Sequence, residues 1–247
     1  MNMRQMIFQI ILFAAAGIAG AIATVTGFGI GSVLTPLLAT AVGTRLAVAA
    51  TSIPHFFATA LRFWRLRSHV DKRVLVRFGI PSAAGGLTGA LLHNVAANRA
   101  LAVVFGILLV FVGISELTGL SRRMHFNDTV AWIAGAVSGF FGGLVGNQGG
   151  IRSGALLGFD VSKEAFVSTA TAVGVIVDVA RMPTYFVMQG GQIAGIWKLV
   201  AVATVGALIG TIFGERLLRR VPESLFRRIV ATLVLALGLY MCFFANG

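Results

Sequence analysis

Long apolar stretches without a single charge divide this chain at regular intervals. Residues 5–44, 46–61, 78–98, 100–115, 129–151, 182–197, 199–214 and 229–247 carry no Asp, Glu, Lys or Arg. About 20 apolar residues suffice for a helix to cross the hydrocarbon core of a bilayer. These stretches predict an all-α polytopic membrane protein with roughly eight full crossings. Two further apolar pieces, 30–42 and 149–159, are too short to cross alone without tilt or partners. Each follows a glycine knot. The first knot is Gly27-Phe28-Gly29-Ile30-Gly31, with Pro36-Leu37-Leu38 after it. The second is Gly146-Asn147-Gln148-Gly149-Gly150, with Ala155-Leu156-Leu157 after it.

The knots belong to a larger duplication. Residues 20–60 and 139–178 both run apolar helix, glycine knot, short apolar segment and a longer helix rich in Thr and Ser. Gly85 and Gly89 match Gly206 and Gly210, and small residues four apart let helices approach closely in lipid. Gly113 and Gly238 fall at similar places in the last helix of each half. The chain therefore reads as two repeats of about five apolar segments each, with short broken helices at the knots. Residues 1–118 form the first repeat, 119–127 a cytoplasmic linker, and 128–247 the second repeat. Asp128 suits the positive end of a helix start.

Charge changes the picture by orienting the halves. After its third segment the first half holds Arg62, Arg65, Arg67, Lys72, Arg73 and Arg77, whereas residues 183–197 of the second half hold no charge. After the fourth segment the bias reverses: Arg99 stands alone in the first half, against Arg216, Arg219, Arg220, Arg227 and Arg228 in the second. Short basic loops stay cytoplasmic. Equivalent loops then lie on opposite sides, and the repeats are inverted. Both termini would be outside, with Arg4 the one residue arguing against it. Parallel repeats with re-entrant short segments are the alternative, and they leave the charge reversal unexplained.

Composition agrees with the membrane reading. Hydrophobic residues make up 57% and charged residues 11%, against roughly 25% charged in soluble domains. The net charge of +12 sits in short loops between apolar spans, so no nucleic-acid partner is expected. The partners implied are the lipid bilayer and a small solute. The single cysteine, Cys242, has no internal disulfide partner, and Cys–His metal spacing is absent. No metal and no cofactor are expected. The first 25 residues read as an uncleaved first helix rather than a signal peptide.

The repeats and knots resemble the sulfite exporter TauE/SafE family, also described as toluene sulfonate uptake permeases. The resemblance runs over about residues 16–239. It rests on residues 27–38 and Ala49-Ala50-Thr51-Ser52 in the first half. In the second it rests on residues 139–153 and 165–171. Here Phe28 and Ile30 interrupt the first knot, Asn147 and Gln148 replace early positions of the second, and Ala155 stands where the family usually has proline. The resemblance implies a bacterial inner-membrane carrier for a sulfur-containing or organic anion such as sulfite or a sulfonate. No phosphate-binding loop of the Gly-x-x-x-x-Gly-Lys-Ser/Thr type occurs, so an ion gradient, with protons the expected coupling ion, would drive it. An anion channel is the alternative. An intramembrane enzyme is a weaker one, since the Gly-x-Ser-x-Gly elbow is absent, and no catalytic residue is expected.

Several residues are candidates for the transport site. A glycine knot entering a helix offers free backbone N–H groups and the positive helix end, which suit an anion. This nominates Gly27, Gly29, Gly31, Gly149 and Gly150, with Asn147 and Gln148 as amide donors. Arg152 adds a fixed charge with a planar fork, unless it snorkels to the membrane surface. Thr51, Ser52 and Thr169 line the path or bond to their own backbone. Asp178 and Arg181 share a helix face. Asp178 is the candidate proton carrier and Arg181 a substrate ligand, or the two form a structural ion pair. Pro183 predicts that this helix ends just after them. Pro54 falls inside an apolar helix and frees a backbone carbonyl; His55 after it reads as a packing residue, with titration near neutral pH the alternative. Trp132, Tyr185 and Trp197 read as interface anchors.

Overall fold

The computed structural model describes residues 3–93, 98–120, 128–146, 149, 152 and 163–218, and scattered positions from 225 to 243. Every regular element among them is helical: α1 (Met3–Thr26), α2 (Ile30–Val42), α3 (Thr44–Leu66), the one-turn α4 (Lys72–Val74), α5 (Ile80–His93), α6 (Asn98–Leu117), α7 (Asp128–Val145), α8 (Lys163–Gly195) and α9 (Trp197–Leu218). A π-helical turn, Leu75–Gly79, joins α4 to α5. Five spans are long and apolar enough to cross a membrane: Met3–Thr24, Thr44–His69, Lys72–His93, Ala165–Gly195 and Trp197–Gly214.

The molecule turns its apolar side chains outward. Ile10, Ile133 and Val187 are 62%, 60% and 87% exposed, while Asp178 and Arg181 are 0% and 1% exposed. Lipid favours this arrangement, because it cannot hydrogen-bond a polar group.

The two halves exchange partners. The most extensive helix packings are α1 on α9 and α5 on α7. Each pair meets through small residues. A Cβ added at Gly206 would lie 2.7 Å from the Phe13 carbonyl oxygen, and one at Gly135 would lie 2.7 Å from that of Phe78. Gly206→Val or Gly135→Val is therefore expected to force the backbones apart. Overpacking of this kind costs about 1–3 kcal/mol. The check is thermal unfolding in detergent, with Gly191→Val as the control, since a Cβ at Gly191 meets nothing within 4 Å.

Direction follows from the same contacts. Along α1 and α9, Phe13 and Ala16 meet Gly206, and Ala21 meets Gly214, so these helices run parallel. Along α5 and α7, Gly85 meets Ala136 and Gly89 meets Phe140, again parallel. Between α3 and α8 the order reverses. His55 meets Asp178, Arg62 meets Thr171, and Asp71, just past α3, meets Thr169. The two equivalent long helices are antiparallel at the centre of the molecule.

Helix α8 runs on to Gly195, twelve residues past Pro183. The expected stop at Met182 is therefore wrong. A proline inside a helix removes one backbone hydrogen bond, and in membrane helices neighbouring groups re-satisfy what it frees.

Candidate functional site

The knots end their helices because only glycine takes the required backbone. Gly27 (φ 78°) and Gly146 (φ 76°) lie in the left-handed region, immediately after α1 and α7. Their N–H groups close the last turns onto Ala23 and Gly142 carbonyls at 3.0 and 3.1 Å. This is the usual glycine stop of a helix. Gly29 follows at φ 137° and α2 begins at Ile30.

Gly149 and Arg152 lie against the first knot. Arg152 Nη2 donates to the Gly27 carbonyl at 2.9 Å. Gly149 lies against the Phe28 ring, where a Cβ would come within 3.0 Å of ring carbon. Arg152 is 1% exposed, so it does not snorkel to a surface. Its Nε and Nη1 have no hydrogen-bond partner among the described residues. A buried guanidinium left with free donors is costly, which makes this the place where a bound anion would gain most. Asn147, Gln148 and Gly150 lie outside the described residues.

Beside Arg152 runs a second buried cluster. Asp178 holds Arg181 through Oδ1, with Nε at 3.0 Å and Nη2 at 2.7 Å, and its Oδ2 lies 2.6 Å from His55 Nδ1. Arg181 Nη1 donates to the Gly142 carbonyl, and Tyr185 Oη to the Gly143 carbonyl. The last turn of α7, leading into the second knot, is thus tied to α8. His55 is a partner of Asp178 rather than a packing residue. Tyr185 is 1% exposed and no interface anchor: its hydroxyl finds a carbonyl partner inside. Trp132 and Trp197 are 47% and 61% exposed.

The hydroxyls divide into two kinds. Ser52 Oγ bonds to its own helix at the Ala49 carbonyl, 2.6 Å away. Thr169 Oγ1 accepts from the Asp71 N–H at 2.9 Å, fastening the loop after α3. Thr51 and Thr59 are buried, and their hydroxyls have no partner among the described residues. Gly31 is buried in the first turn of α2.

Arg62 does not belong with the charges of the loop after α3. It lies inside α3, 2% exposed, with Nε donating to Thr171 Oγ1 at 3.0 Å. The helix continues to Leu66 and carries Arg62 inward. A signal for it exists in the repeat. Gly27 and Gly146, and likewise Arg62 and Arg181, are separated by 119 positions. Thr51, His55, Thr59 and Arg62 also form a polar stripe at helical spacing, facing Thr171, Gly174, Asp178 and Arg181 on α8. Among the described residues no group of three or more His, Cys, Asp or Glu could hold a metal ion.

A helical bundle with outward apolar faces and a buried ionic core beside a short helix that follows a glycine knot defines a multi-pass membrane protein of the transporter class. The model of the family described as Sulfite exporter TauE/SafE matches residues 12–241, and the chain belongs to that family. Neither a search of the curated proteins nor one of the solved structures found a match.

Proposed function

We propose that this protein is a secondary carrier of a small sulfur-containing or organic anion, such as sulfite or a sulfonate, in the bacterial inner membrane. The single observation that carries the reading is Arg152: a buried guanidinium between two glycine knots, with donors unmatched among the described residues. The bound anion would take those donors, the Thr51 hydroxyl and the knot backbone N–H groups at Gly29 and Gly31. Arg181 is already held by Asp178, so its part is to fix the field at the site. The test is uptake into proteoliposomes of sulfite and a series of sulfonates, with acetate as control. Saturable, mutually competing uptake of the sulfur oxyanions is expected. Uptake of none of them rejects the proposal.

Inverted repeats fit the packing. If equivalent helices ran in the same direction, α3 and α8 would be parallel; their contacts run in opposite order. The partner exchange, α1 with α9 and α5 with α7, supports the same relation. A cysteine at Ser68 is then expected to react in intact cells only with membrane-permeant reagents, and one at Gly191 with impermeant reagents from outside. Labelling of both from one side contradicts inversion.

Coupling to protons is assigned to the His55–Asp178 pair. Imidazole is the side chain whose ordinary pKa lies nearest neutrality, and here it contacts a carboxylate at 2.6 Å. The charged groups acting on it are Asp178 and Arg181 from α8, and Arg152. Gain or loss of a proton at this pair changes the charge next to the anion site, which links the two ions.

A further inference from the structure

Arg62 and Arg152 reach α8 one turn apart from the two halves of the chain, Arg62 at Thr171 and Arg152 beside Gly174. Arg62 uses Nε on Thr171, leaving Nη1 without a partner among the described residues. Arg152 uses Nη2 on Gly27, leaving Nε and Nη1 likewise. Gly174, one turn beyond Thr171 on α8, marks the meeting place. A Cβ there would lie 3.1 Å from Arg152 Nη1 and 3.1 Å from Thr59 Cγ2. Thr59 is fully buried, and its hydroxyl is also unmatched among the described residues.

Charge balance then restricts what fits. The fully buried charged side chains described here are Arg62, Arg152, Arg181 and Asp178. Asp178 and Arg181 cancel through their ion pair. Among the described residues two positive charges remain, and unpaired charge in a water-poor interior is expensive. A monoanion removes one of them; a dianion removes both. Two planar forks also match a compact group with several equivalent oxygens.

Deepening the carrier reading, on which it rests, we propose that Arg62 and Arg152 clamp one doubly charged oxyanion, with the Thr59 hydroxyl as a third donor. Arg62 is then the residue that selects a dianion over a singly charged sulfonate of similar oxygen geometry.

The test is calorimetric titration of the purified protein in lipid nanodiscs with sulfate and with methanesulfonate at fixed ionic strength. Wild type is expected to bind sulfate at least tenfold more tightly. Arg62→Gln is expected to weaken sulfate at least tenfold while changing methanesulfonate less than twofold. Arg62→Lys, which keeps the charge, is expected to keep the preference. Equal affinities in wild type overturn the clamp, as does an Arg62→Gln protein that weakens both anions equally. Either result leaves the carrier reading intact, because both anions still bind. Binding of neither anion to wild type removes both. Should Arg62→Gln not fold, the wild-type ratio and the Arg62→Lys ratio decide.

Discussion

Arg152→Ala is expected to abolish saturable anion binding and leave the protein folded. The side chain makes one hydrogen bond to the rest of the described structure, to the Gly27 carbonyl, so its loss removes little internal support. Its two remaining nitrogens are what a bound anion would use. Hydrogen bonds to charged groups contribute about 1.5–3 kcal/mol each, so losing two weakens binding roughly a hundredfold or more. Arg152→Lys should restore only part of this, because an ammonium lacks the fork. Titration of the purified variants, alongside their melting temperatures, checks both halves of the expectation. Unchanged affinity in the alanine protein removes Arg152 from the site.

The second large effect concerns the buried pair at the centre of the bundle. Asp178→Asn leaves Arg181 charged and without a counter-ion, in a place where neither group meets water. Breaking a buried pair in this way costs about 3–5 kcal/mol, so a sharp loss of folded yield is expected. His55→Asn behaves differently. The asparagine amide can keep a hydrogen bond to Asp178 Oδ2 but cannot take up a proton near neutral pH. This variant should stay folded and exchange substrate, yet fail to accumulate it under a pH gradient. Uptake with and without an imposed gradient, beside detergent stability, separates the two. Normal pH-driven accumulation by a stable His55→Asn protein removes His55 from coupling.

Much of this arrangement could be read from the chain because it depends on local rules. Gly27 and Gly146 stand out because their positive φ admits few other residues. Asp178 and Arg181 share a helix face by spacing alone, and the ion pair follows. Other features depend on how distant segments meet. His55 acquires its partner from 123 positions away, and nothing near Pro54 in the sequence points to it. Arg62 stands beside Arg65 and Arg67 in the sequence, but α3 continues to Leu66 and puts it inside the bundle. Tyr185 follows Pro183, where the sequence predicts a helix end, whereas α8 carries it to the Gly143 carbonyl. In these two cases a helix that runs further than its sequence suggests decides whether a polar residue faces the surface or the core.

The central claim is that a sulfur oxyanion is carried through the space between the two knots, with Arg152 as its charge. Counterflow in proteoliposomes tests it most directly: vesicles loaded with unlabelled sulfite, diluted into a trace of labelled sulfite. Transient accumulation of label is expected with the wild-type protein and none with Arg152→Ala. Label that merely equilibrates without overshoot, as through a channel, or counterflow that persists in Arg152→Ala, would contradict it.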